Sequence, residues 1–206
     1  MYTPRSFRVD DPDLLGAFMQ AYSFCTLITA GADDSYVSHV PVLIDRDQDD
    51  FTLLGHLARP NPHASQLNGR RATAIFHGPH SYISPHWYAD SREVPTWNYA
   101  SVHTSGVVQT FDDSASLSEL VDRMVEFYEA LYNTGWDRQL PDDYRQRQLT
   151  HIVGFRLSVE RLSGKFKLGQ NRSLADQDGM LTQMQDSANS DSRELAAFIK
   201  RYRRSD

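Results

Sequence analysis

Three short segments of this 206-residue chain hold residues whose types and spacing suit chemistry. The first runs His56-Leu57-Ala58-Arg59-Pro60-Asn61-Pro62-His63, just past an apolar stretch. Guanidinium, amide and free backbone N–H groups at a strand end suit an anionic group such as phosphate, although a lone Arg in a turn more commonly faces water. The second is Thr96-Trp97-Asn98-Tyr99, with His103 shortly after it. The third gathers Lys165, Lys167, Gln170, Asn171 and Arg172, which suits either a grip on an anion or a solvated loop. Between the first two, residues 76–106 are dense in His, Trp, Tyr and Pro. That mixture fits the wall of a pocket for a flat, partly polar organic ligand, and equally an aromatic strand pair in a core.

Other chemistries find less support. Neither a G-x-S-x-G elbow nor the glycine patterns of Rossmann and P-loop nucleotide sites occur. Ser84, Ser101 and Ser105 lie near His residues in sequence, which establishes no triad. No catalytic residue is therefore assigned. The scattered His and the single Cys25 assign no metal site, and Cys25, inside the apolar run SFCTLITA, reads as a core residue. Tyr82, Trp87, Tyr88, Trp97 and Tyr99 offer stacking faces for single-stranded nucleic acid, but Arg92 is the only cation among them.

The bulk numbers set wider bounds. The formal charge of −6 argues against a duplex-binding surface built from overall charge. One basic cluster, Lys200-Arg201-Tyr202-Arg203-Arg204, suits either phosphate contact or the C-terminal end of a helix. A lone cysteine fits a reducing compartment. The start MYTPRSFRVDD is no secretory signal, and no apolar run approaches the ~20 residues that span a bilayer. The expectation is a cytoplasmic protein with no membrane partner.

The elements that must position these groups follow from periodicity. Asp11-Pro12 caps a helix over about 12–22, with Leu14, Leu15, Phe18, Met19 and Tyr22 at helical spacing. Strands are expected at 24–29, 36–44, 51–57, 72–77, 81–84, 96–103, 107–111 and 152–162, with turns at 31–34 and 45–50 and a loop at 85–95. His63 to Leu67 begins a short helix, and 142–150 is a short polar one. Ser116 and Glu119 have capping-box spacing ahead of Leu120, Met124, Phe127, Tyr128 and Leu131. The polar stretch 174–192 reads as a mobile region, and Asp191 and Glu194 open a last helix. Short strands with close turns favour an antiparallel barrel or sandwich, in one domain with helical decorations.

Beyond these patterns, five blocks resemble the PaiB family of FMN-binding negative transcriptional regulators. They are Met1-Tyr2-Thr3-Pro4 with Phe7, HLARPNP at 56–62, HGPHSYISPHWY at 77–88, VPTWNYASVH at 94–103 and KLGQNR at 167–172. The resemblance implies a mainly β, antiparallel split β-barrel like the pyridoxamine-phosphate oxidases. It implies one domain over 1–206, with a helical extension at about 173–204, and a homodimer with FMN at its interface. His56, Arg59 and Asn61 would then lie beside the flavin and its phosphate, and Trp97, Asn98 and Tyr99, with His103, near the ring system. Lys167, Gln170, Asn171 and Arg172 would hold the phosphate or ribityl hydroxyls. Gly169 departs from the family's KLSQNR, and Arg5-Ser6 stands where a His commonly precedes the Phe. DNA contact is implied by the regulatory role alone. Relatives of the fold also include flavin-dependent oxidoreductases, for which His86, Tyr99 or His103 would deliver a proton, and haem-binding proteins.

Overall fold

The structure, a computed structural model, describes residues 1–31, 34–48, 50–88, 93–137 and 139–203. Ala32 and Asp33 of the expected turn, part of the 85–95 loop including Arg92, and Arg204 lie outside the described residues. Two compact units interleave along the chain. One comprises 12–76 and 103–162, the other 1–11, 77–102 and 163–206.

The first unit is a barrel. Helix α1 (Pro12–Ala21) precedes β2 (Phe24–Ala30), β3 (Ser35–Pro41), β4 (Leu43–Asp47) and β5 (Asp50–Ala58). Parts of β6 (Arg71–Ile83), β7 (Thr96–Phe111) and β8 (Ile152–Lys167) complete it. All registered pairs are antiparallel, among them Leu27↔Ser38, Ile28↔Thr73, Leu43↔Leu54 and His56↔Gly154. The strand order is β3-β2-β6-β7-β8-β5-β4. Its two end strands, β3 and β4, are separated in the chain only by Val42, so the sheet must curl back on itself. Alternation fills the inside with Leu27, Leu53, Ala74, Phe76, Val108, Phe155 and Leu157, all buried.

Several boundaries differ from the sequence reading. The strand expected over 36–44 breaks at Val42, because the barrel turns a corner there, and β4 then runs into the expected acidic turn as far as Asp47. The pairs of strands expected at 72–77 with 81–84, and at 96–103 with 107–111, are single long strands that pass through their Gly residues. At Gly106 the reason is steric. A Cβ there would lie 1.7 Å from the Ser158 carbonyl oxygen, so only glycine lets β7 and β8 approach. Helix α2 (Ser114–Tyr132) is capped by Asp113, whose carboxylate accepts from the Ser116 N–H at 2.9 Å, rather than by Ser116. Its Leu120 and Met124 pack on Leu43 and Leu54, with Phe111, Phe127 and Tyr128 beside them. The polar helix α3 (Asp142–Leu149) leads into β8.

In the second unit β1 (Arg8–Val9) pairs with the far end of β8, Arg8 opposite Lys165. The stretch expected to be mobile holds α4 (Leu174–Gln185), capped by Ser173, because Met180, Leu181 and Met184 give it a buried face. Helix α5 (Ser190–Arg203) follows. Phe166 meets Phe198 and Tyr202 edge-to-face at 5.3 and 5.5 Å. The Ser81 and Ser192 hydroxyls lie 2.7 Å apart and satisfy one another in the interior. Cys25, in the barrel, is 1% exposed and its thiol is pushed up to about 12 by burial, which makes it chemically quiet.

Candidate functional site

His56, Arg59, Asn61 and His103 belong to the barrel unit. His56, near the end of β5, is half-buried, and its Nδ1 is a buried atom with no hydrogen-bond partner among the described residues. Burial holds its pKa below the ordinary imidazole value. Arg59 is a structural clamp. Its Nε and Nη2 donate to the Thr150 and Ile152 carbonyls at 2.8 and 3.0 Å, and its Nη1 reaches Asp112 at 3.2 Å. Asn61 caps the short 3-10 turn at Pro62–Gln66, its Oδ1 accepting from the His63 N–H at 2.9 Å. His103 sits half-buried on the barrel half of β7.

The sequence reading missed what Asn61 serves. His63 is 1% exposed, with Nδ1 2.9 Å from Ser38 Oγ, Nε2 3.1 Å from Thr29 Oγ1 and the Tyr36 ring stacked at 5.8 Å. Asn61 Nδ2 donates to Ser38 Oγ at 3.2 Å, so the serine proton is free to point at His63 Nδ1, and Nε2–H then donates to Thr29. This network is satisfied by a neutral imidazole, and burial lowers the pKa from 6.5. The unfolded chain therefore binds more protons than the folded one below pH 6.5. The stabilisation is full above that value and is lost as pH falls through the lowered folded pKa. His56 adds in the same direction. Urea unfolding at pH 7 and pH 5 is expected to show a loss of stability on acidification that shrinks in His63→Gln. An equal loss in both proteins would remove His63 as the cause.

Trp97, Asn98, Tyr99, Lys167, Gln170, Asn171 and Arg172 belong to the second unit. Strand alternation separates Asn98 from its neighbours. Asn98 is 1% exposed and its amide reaches the Met180 sulfur at 3.3 Å, whereas Trp97 is 55% exposed. Trp97 lies edge-on to Tyr82 at 6.1 Å and 6.3 Å from the His80 ring. Lys165 Nζ sits 5.2 Å over Tyr99 and 5.8 Å over Tyr2, whose carbonyl it donates to at 3.1 Å. Lys167 donates to the Thr96 hydroxyl. Burial, and then the like charges of Lys165 and Arg172, lower the Lys167 pKa.

The rest of the KLGQNR block is largely committed to its own loop. Gln170 accepts from the Leu168 N–H at 2.7 Å and donates to the Phe166 carbonyl at 2.6 Å. Arg172 pairs with Glu93 and lies 5.0 Å from the Tyr88 ring. Asn171 is exposed. Gly169 has φ +85°, a left-handed conformation that a serine adopts with strain, and a Cβ there would approach Met180 and the Asn98 amide. The departure from KLSQNR is thus matched by the backbone.

Two ammonium groups, a hydroxyl and open aromatic faces are a donor set for a molecule with a phosphate and a flat ring. The two-residue spacings His80/Tyr82, Trp97/Tyr99 and Lys165/Lys167 are the sequence signal that could have singled out shared strand faces. Among the described residues no three His, Cys, Asp or Glu side chains converge as a metal site.

Residues 1–161 match the model of a family described as "Putative FMN-binding domain". The chain is similar to the "Protease synthase and sporulation protein PAI 2" of Bacillus subtilis, 32% identical over 204 residues, which cover 97% of each chain. Among solved structures it is similar to the flavocytochrome Anf3 from Azotobacter vinelandii, with TM-score 0.60 and 17% identity over 80% of this chain and 72% of that one. A FAD and heme binding protein from Mycobacterium smegmatis aligns with TM-score 0.55 and 17% identity, over 78% of this chain and 73% of its own. At such identities these two structures speak for the fold alone, the antiparallel split β-barrel with flanking helices.

Proposed function

From a chain that belongs to the FMN-binding domain family, alongside its PaiB-type relative, we propose a homodimeric, FMN-binding negative regulator of transcription. FMN is the cofactor, and when bound it supplies one- and two-electron redox chemistry. The observation that carries the site assignment is the cationic strand end. Lys167, with Lys165 and the Thr96 hydroxyl, would hold the phosphate, and Trp97 and Tyr99 would flank the ring. Gln170 presets the loop, and Arg172, already neutralised by Glu93, supports it. Separately, in the barrel unit, His56, whose buried Nδ1 has no partner among the described residues, is the candidate for a hydrogen bond to a ligand at that end of β5, and Arg59 and Asn61 shape the loop that follows it.

A second copy of the chain has a suitable surface in the barrel unit. On the outer face of β2, β3 and β6, Phe24 and Val37 are 66% and 54% exposed beside Thr26, Ile28, His39, Thr73 and Ile75. Apart from the His39 imidazole none of these side chains is ionisable, so two copies meeting on this face bring little like charge together. For DNA, the last turn of α5 offers Lys200, Arg201 and Arg203, of which Arg203 also binds Gln177 and Asp178 of α4.

The regulator reading is tested by sedimentation and by selection from random duplex DNA, with and without FMN. The expected results are a dimer that Val37→Asp converts to monomer, and enrichment of a two-fold symmetric DNA motif. A monomeric wild type, or no enrichment over bulk duplex at physiological salt, overturns it. Reduction of the bound FMN by NADH or NADPH without DNA selection would put an oxidoreductase in its place.

A further inference from the structure

We propose that the cavity beside α2 and α3 is a second small-molecule site, built for a flat organic cation. This inference is independent of the flavin reading. The cavity measures about 630 Å³, a size typical of small-ligand pockets, and lies wholly within the barrel unit. Helix α2 spends its Leu117, Leu120 and Met124 face on the core. A separate pair one turn apart, Val121 and Val125, lines the cavity instead, together with Leu140, Leu149 and Ile152. Trp136, in the segment between the helices, adds an indole that is 44% exposed.

The charges around these apolar walls set the ligand class. Arg145 is already neutralised, 2.5 Å from Asp122 and 2.7 Å from the Ser118 hydroxyl. Glu126, one turn beyond Asp122, has no ion pair among the described residues. The described walls therefore carry one uncompensated carboxylate beside an open indole, with the His151 imidazole also on the rim. A delocalised cation is attracted by both the carboxylate and the indole π face, and its apolar body covers the valine and leucine side chains. An anion of the same shape meets Glu126 at a cost.

Fluorescence titration of the full-length, nucleic-acid-free protein separates the cases with three probes. These are ethidium (a flat cation), N-phenyl-1-naphthylamine (neutral) and 1-anilinonaphthalene-8-sulfonate (anionic). Ethidium is expected to saturate at one site per chain and to bind more tightly than the sulfonate. Glu126→Gln should weaken ethidium about fivefold while leaving the neutral probe unchanged. Glu126 is exposed and has no ion pair among the described residues, so this substitution spares the fold. Trp136→Leu should weaken ethidium and the neutral probe together. Failure of ethidium to saturate, equal affinity for the cation and the anion, or indifference of ethidium to both substitutions would each overturn the proposal.

Discussion

Lys167→Ala is expected to weaken FMN binding by about 10- to 100-fold, the worth of a charge-assisted hydrogen bond lost from a phosphate. In the folded chain Lys167 is penalised first by burial and then by two neighbouring cations, which together lower its pKa. A phosphate dianion relieves both penalties, so the site gains more from its ligand than an isolated surface lysine would. Gln170 and Arg172 cannot substitute, because each is already bound within the protein. The pH dependence follows with a definite sign. The ammonium form that grips the phosphate is lost at lower pH than for an ordinary lysine of pKa 10.5, so wild-type affinity falls as the solution is made alkaline toward that lowered value. The decline is smaller in the alanine variant. Flavin fluorescence quenching at pH 7 and pH 9.5 measures both effects. An unchanged dissociation constant in Lys167→Ala would move the phosphate elsewhere.

Gly106→Val is expected to cost about 3 kcal/mol or more, at or beyond the upper end of ordinary overpacking. The Cβ it introduces would sit 1.7 Å from the Ser158 oxygen and 2.8 Å from its carbonyl carbon. Both are backbone atoms, so no flexible side chain can move aside, and the β7–β8 pair must separate. These strands are central in the sheet order, with three strands on one side of the pair and two on the other, so the loss spreads through the barrel. Urea unfolding followed by far-UV circular dichroism checks it. A midpoint within experimental error of wild type would show that the strands pass at a greater distance.

Much of this architecture was legible in the chain. The apolar runs FCTLIT and FTLLGHL, bounded by turn residues, marked β2 and β5, and Asp11-Pro12 marked the start of α1. The blocks around HLARPNP and TWNY pointed to the flavin family, which the 1–161 match bears out. Turn signals misled where long strands run through them. Gly78-Pro79 and Gly106 look like breaks, yet β6 and β7 continue, because the barrel needs a close approach at Gly106. The cap at Asp113 outcompeted Ser116 because one residue can serve the first free N–H groups of a helix only if it precedes them.

The sequence by itself determined the family through its five resembling blocks, and the strands and the amphipathic helices through its periodicities. Those depend on neighbours two to four residues apart. Only the tertiary structure decided which polar groups are already committed and which stay open. Arg59 is consumed by carbonyls at Thr150 and Ile152, and His63 by hydroxyls at Thr29 and Ser38. Lys167, by contrast, donates to the Thr96 hydroxyl alone among the described residues and sits among like charges. The reason is that a hydrogen bond or a charge repulsion acts over a few ångströms of space, and the groups it joins here are brought together by strand pairing rather than by the chain.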